Sequence, residues 1–105
     1  MDELMEEQFE EMMAEQEREY TRVEGLLVKR GETYGSYFNN ALTSQALKEQ
    51  VRDLTRFNDM PSPHREAVDV ILQKISRICN GDSNYEDNWV DIMGYSELVL
   101  KEIRK

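Results

Sequence analysis

The chain has 105 residues, enough for one domain with a modest core, and its 39% hydrophobic and 33% charged content is that of a folded, helix-rich protein. A net charge of −9 disfavours binding to duplex nucleic acid, whose affinity for proteins comes from clustered Lys and Arg. A single cysteine, Cys79, excludes an intrachain disulfide; the start MDELMEEQFEEMM lacks the basic and apolar regions of a signal peptide, no run is apolar enough for a membrane span, and the cytoplasm is the expected location.

The acidity belongs to one end. Residues 1–19 hold nine acids and one base, Arg18, for a net charge of −8, while the other thirteen acids and twelve bases nearly cancel over residues 20–105. Residues 2–30 are rich in Glu, Gln, Met, Leu and Arg and predict a helix. Met5, Phe9, Met12, Gln16, Glu19, Val23 and Leu26 follow at alternating steps of four and three, a heptad seam with two polar members at its centre, widened by Leu4, Met13, Tyr20 and Leu27. One reading packs the second half of this helix on the body while the first half projects or pairs with another copy. The other makes the acidic, methionine-rich first half a docking arm for a basic partner.

KRGETYG (29–35) predicts the end of this helix, with Gly31 just past its last turn. Its glycines either turn the chain or bring backbone close to a ligand, with Tyr34 as a wall. A second helical stretch over 36–57 takes its apolar positions from Phe38, Leu42, Leu47, Val51 and Leu54, with a break expected at Thr43–Ser44, where a hydroxyl can cap a new start. Glu49 and Asp53 share a face, more in keeping with a solvated surface than with a cation site. The prolines of NDMPSPH (58–64) forbid a continuous helix and leave Ser62 as a cap, with His64 expected in an exposed loop.

A third helix from about Arg65 ends before Gly81, with Ala67, Val68, Ile71, Leu72, Ile75, Ile78 and Cys79 on one apolar arc and a buried thiol expected. Lys74 lies at the margin of that arc and Arg77 one step further out. An ammonium there must reach water or find a carboxylate. GDSNYEDN (81–88) fails as a calcium loop, since Asp87 stands where the glycine and Met93 where the bidentate glutamate are needed. Asp82 or Ser83 is the expected cap of the last helix, about 85–104. Trp89, Ile92, Met93, Val99, Leu100 and Ile103 are its predicted core face, with Val90 and Leu98 extending burial until the helix is nearly enclosed. Gly94 suggests close approach of another backbone. Asp87, Asp91 and Tyr95 share a polar face, either solvated or with Asp91 paired to Lys74 or Arg77 across the interface. The expected fold is all-α: a compact bundle of four principal helices with a long acidic N-terminal helix, residues 1–30 being arm plus packing half and 31–105 the bundle body.

KRGETYG, then KISRI (74–78), then DNWVDIMGYSEL (87–98) is similar to a pattern in small phage-encoded proteins, the MazG-like and nucleotide-modification-associated all-α proteins. The resemblance implies a helical bundle, often dimeric, that handles a nucleotide. It implies Asp87 and Asp91 as catalytic acids and Mg²⁺ ligands, and Lys74 and Arg77 as the phosphate-facing pair. Tyr34, Asn88 and Tyr95 complete the expected ligand-binding set. Either Mg²⁺-dependent hydrolysis of a nucleoside triphosphate to release pyrophosphate, or sequestration of a nucleotide signal, follows from it. The later acidic pair here is Asp-x-x-x-Asp, in place of the family's Glu-x-x-Asp. The alternatives are a non-enzymatic acidic interaction protein, such as a phage factor that blocks a host protein through residues 1–19, and an assembly role in which the polar groups only tie helices together.

Overall fold

The structure, a computed structural model, describes residues 2–105. Four helices follow in order: α1 (Glu3–Tyr34), α2 (Tyr37–Arg52), α3 (Ser62–Asn80) and α4 (Glu86–Ile103), with a 3₁₀ turn at Phe57–Asp59 and no strand among the described residues. None of these helices is long and apolar enough to cross a membrane. The chain divides into two units, Met1–Arg30 and Gly31–Lys105.

The first unit is helix alone. Asp2 caps it, its carboxylate accepting the Met5 N–H at 2.8 Å, and Glu3 and Glu6 in the first turn complement the positive end of the helix. Local bonds decorate its surface, among them Arg22–Glu19 at 2.6 Å and Tyr20–Glu24 at 2.9 Å. No residue of α1 is buried.

The second unit begins with the last turn of α1, and here the chain runs past Gly31. The helix stops at Gly35 instead, which adopts φ +83°, a conformation that costs a side-chain-bearing residue about 1–2 kcal/mol, and donates its N–H to the Gly31 carbonyl at 2.9 Å. The reason lies outside the local sequence. A Cβ on Gly35 would collide with the Asn80 carbonyl, and one on Gly81 would collide with the backbone of Thr33 and Tyr34. Two glycines thus let the ends of α1 and α3 meet backbone to backbone, and the Asp82 N–H donates to the Thr33 carbonyl across the junction at 2.9 Å.

Ser36 caps α2, accepting the Asn39 N–H at 3.1 Å. The expected break at Thr43–Ser44 is absent, because the Thr43 hydroxyl accepts from Asn80 Nδ2 at 3.1 Å and is not turned back on its own backbone. The helix ends at Arg52, short of Phe57, which is buried in the 3₁₀ turn. Pro63 fits the first turn of α3, and His64 sits in that turn half-buried, not in an exposed loop. Tyr85 occupies the cap position of α4 without a side-chain capping bond, while Asp82 turns its carboxylate to the Asn84 N–H at 2.9 Å.

Helix α3 packs against α2 on one side and α4 on another. The α2 contact is polar. Ser76, fully buried, places its hydroxyl 3.1 Å from the Asn40 carbonyl and 3.0 Å from Asn40 Oδ1. Asn40 Nδ2 donates to the Tyr34 carbonyl at 2.6 Å, and Asn80 Nδ2 reaches both Thr43 and the Ser76 carbonyl. Turning Ser76 and Asn80 toward α2 leaves Ile75 and Cys79 open, so the thiol is exposed where the apolar arc predicts burial.

Within the second unit the close packing expected of a compact bundle is missing. The apolar residues buried are Phe57, Ala67 and Ile78, whereas Phe38 and Met93 are each 70% exposed and Leu42, Leu54, Trp89, Val90, Leu98 and Ile103 are also open. Helix α4 is accordingly far from enclosed, and Gly94 has nothing within 4 Å of the place a Cβ would take. Gly35→Ala is expected to lower stability by roughly 2–4 kcal/mol through strain plus collision, and Gly94→Ala to raise it by about 0.5–1 kcal/mol, both read from urea unfolding followed by circular dichroism.

Candidate functional site

The facing sides of α3 and α4, with the end of α1, gather most of the side chains to which the sequence assigns function. Lys74 and Arg77 are three apart on α3, and Asp87 and Asp91 are four apart on α4, so each pair projects from one helix face. Lys74 Nζ lies 2.9 Å from Asp91 Oδ2, with the lysine side chain 15% exposed and the aspartate 46%. Of the two outcomes open to Lys74 at the margin of its apolar arc, water or a carboxylate, it takes the carboxylate, and Asp91 pairs with it and not with Arg77.

Arg77 takes another partner. Its guanidinium carbon stands 5.0 Å from the centre of the Tyr34 ring, a cation–π arrangement, and Tyr34 meets Tyr85 edge to face at 5.4 Å and 85°. The Tyr85 hydroxyl donates to Asp87 Oδ2 at 2.9 Å. Its hydrogen bonding with the Tyr34 side chain, then its hydrogen bond to Asp87 and the charge of that carboxylate, hold the Tyr85 phenol well above the ordinary tyrosine range, so it keeps its proton at neutral pH. A chain Arg77–Tyr34–Tyr85–Asp87 thus links α3, α1 and α4.

Asn88 is 1% exposed, and its side-chain nitrogen makes no hydrogen bond. Tyr95 is half-buried on α4. Trp89 donates its indole N–H to the Ser83 carbonyl at 2.9 Å, spanning the turn before α4.

Among the described residues, no three His, Cys, Asp or Glu side chains gather closely enough to hold a metal ion. Asp87 and Asp91 each already bond a neighbour, Tyr85 and Lys74, and two carboxylates supply few of the six oxygens Mg²⁺ prefers. A magnesium ion at this pair would compete with the Lys74 ammonium, so the donor set fits the ion poorly.

A second concave region lies away from these side chains. A cleft of about 320 Å³ opens between the end of α2, the 3₁₀ turn and the start of α3, lined by Arg52, Phe57, Asn58, Arg65, Glu66 and Asp69 together with Ser62. Arg65 Nε and Asp69 Oδ1 are shielded there without a hydrogen-bond partner. The signal available in sequence was the Arg65/Asp69 spacing of four residues directly after the proline break. Neither this cleft nor a groove along α1 is lined by Lys74, Arg77, Asp87 or Asp91.

No protein-family model, no curated protein and no solved structure matches the chain. The Lys74–Asp91 pair is the directly testable part of the site. Asp91→Ala alone is expected to cost about 1–2 kcal/mol, because it leaves a sheltered ammonium unpaired, while Lys74→Met with Asp91→Leu should unfold within about 1 kcal/mol of the parent. Urea denaturation of the three chains decides it.

Proposed function

We propose that this chain is a non-enzymatic interaction protein that binds other protein surfaces through open helix faces. The observation that carries the reading is the distribution of apolar side chains. Phe57, Ala67 and Ile78 are buried, while large apolar residues stand in water along heptad-spaced stripes. One stripe is Met5, Phe9, Met12, Val23 and Leu26 on α1; another is Trp89, Met93, Leu100 and Ile103 on α4. Exposed apolar surface of this extent on a small chain marks a place where another surface binds, since each Å² removed from water is worth about 25 cal/mol.

The acids supply the second element. Glu3, Glu7, Glu10, Glu11 and Glu17 lie off the seam, on the outer side of α1. An outward acidic ridge suits a basic protein partner, whose approach such a field accelerates and whose binding salt weakens. A host protein blocked by a phage factor is one partner of that chemistry. Replacing Glu7, Glu10, Glu11 and Glu17 with Gln should weaken binding of a lysine-rich peptide by about tenfold or more at low salt, and salt should weaken the parent's binding, both followed by fluorescence anisotropy. Equal affinity for the two chains sinks the reading.

Nucleotide handling is the second reading, the one implied by the MazG-like resemblance. It is supported by one arrangement: Lys74, Arg77, Asp87, Asp91, Tyr34 and Tyr85 share one side of the second unit. Against it stand the neutralisation of Lys74 by Asp91 and the poor fit to magnesium. A nucleotide that binds the folded chain raises its melting temperature by mass action. On this reading, a thermal-shift panel of nucleoside mono-, di- and triphosphates, with and without Mg²⁺, gives a rise that Arg77→Ala removes; a flat panel dismisses it.

A further inference from the structure

Beyond the acidic outer ridge, we infer that the apolar seam of α1 pairs with the same seam of a second copy of this chain, running antiparallel, to form a two-stranded coiled coil. The seam is exposed along its whole length. From Met5 to Leu26 the seam is roughly 30 Å long at the ordinary helical rise.

Polar residues decide the direction. In heptad terms Phe9, Gln16 and Val23 are a positions, and Met5, Met12, Glu19 and Leu26 are d positions. A parallel pair stacks each residue on its own copy. Glu19 then meets Glu19 inside the seam, and the −8 of residues 1–19 lies along a second −8. An antiparallel pair can place Phe9 beside Leu26 of the other copy and Met12 beside Val23. The same register puts Gln16 beside Glu19, where the amide donates to the carboxylate. Both polar residues then share two adjacent central layers, with apolar layers on each side.

The flanks agree with that register. Glu15 of one copy falls opposite Arg22 of the other, and Met13 opposite Tyr20, each contact made twice by symmetry. Arg22 already reaches Glu19 at 2.6 Å within its own helix, so a cation sits at the seam beside the one carboxylate the pairing shelters. Antiparallel alignment also lays residues 5–15, whose five acids and no base give −5, against residues 20–30, whose three bases and one acid give +2. In a parallel pair the positions flanking Glu15 and Arg22 are Tyr20 and Leu27, and no opposite charges meet. Charge and register therefore select one arrangement of one occupant. The acids at Glu3, Glu7, Glu10, Glu11 and Glu17 face outward in it.

Sedimentation equilibrium of the full chain should give twice the 12.4 kDa monomer mass, and Phe9→Asp should weaken the association about a hundredfold or more. For direction, Met12→Cys and Val23→Cys are each placed in a Cys79→Ser background, which removes the chain's one native thiol. The two variants are mixed and oxidised. Antiparallel pairing yields the mixed disulfide between position 12 of one copy and position 23 of the other. A monomer at every concentration, or a product dominated by symmetric disulfides at position 12, overturns the inference. Neither outcome bears on the outer ridge, which the lysine-rich peptide reads separately.

Discussion

Ser76 holds its hydroxyl against Asn40 from a position with no exposure to water, and the second unit is arranged around that bond. Asn40 carries the connection to the end of α1 through the Tyr34 carbonyl, and Asn80 carries it back to α2 through Thr43. A serine hydroxyl in an apolar interior costs a few kcal/mol if left unbonded, so the helices are constrained to the one setting that satisfies it. Hydrogen-bond geometry is far stricter than apolar contact. A small core can therefore specify its packing this way, where three buried apolar side chains would leave the helices free to slide.

The same constraint explains the open faces. With the Ser76–Asn80 side of α3 committed to α2, and the Lys74–Arg77 side to α4 and Tyr34, the centre of the apolar arc near Ile75 and Cys79 has nothing left to pack on. On α4, Asn88, Asp91 and Ile92 turn inward, and Trp89, Met93, Leu100 and Ile103 lie beside that contact and face out. The exposed stripes are what remains when polar bonds, not hydrophobic volume, choose the interfaces.

Several helix ends were legible in the sequence because their cause was local. Pro61 and Pro63 marked the break before α3, and Gly81 its end, because a missing N–H and a missing Cβ act within one turn. Gly31 and Gly35 look alike in sequence, and only the Asn80 carbonyl pressing on Gly35 distinguishes them. Thr43 and Ser44 read as a cap for the same reason, since the amide that claims the Thr43 hydroxyl comes from a residue 37 positions away. The site divided along the same line. Lys74 at the edge of an apolar arc had either to reach water or to find a carboxylate, and the structure gives it Asp91. The Arg77–Tyr34–Tyr85–Asp87 chain depends on the end of α1 lying on α3, which no periodicity encodes. Which side of the broad apolar arc on α4 would be covered was likewise invisible, because a helical wheel gives the width of a face and not its neighbour.

Trp89 is the chain's one tryptophan. Its indole N–H is fixed to the Ser83 carbonyl, while half of the residue's surface is open to solvent. Its emission is therefore a built-in optical gauge with two scales. Loosening of the loop between the last two helices breaks the indole bond and lets water reach the nitrogen, whereas arrival of any molecule on the outer side of α4 dries the ring and shifts its light toward the blue.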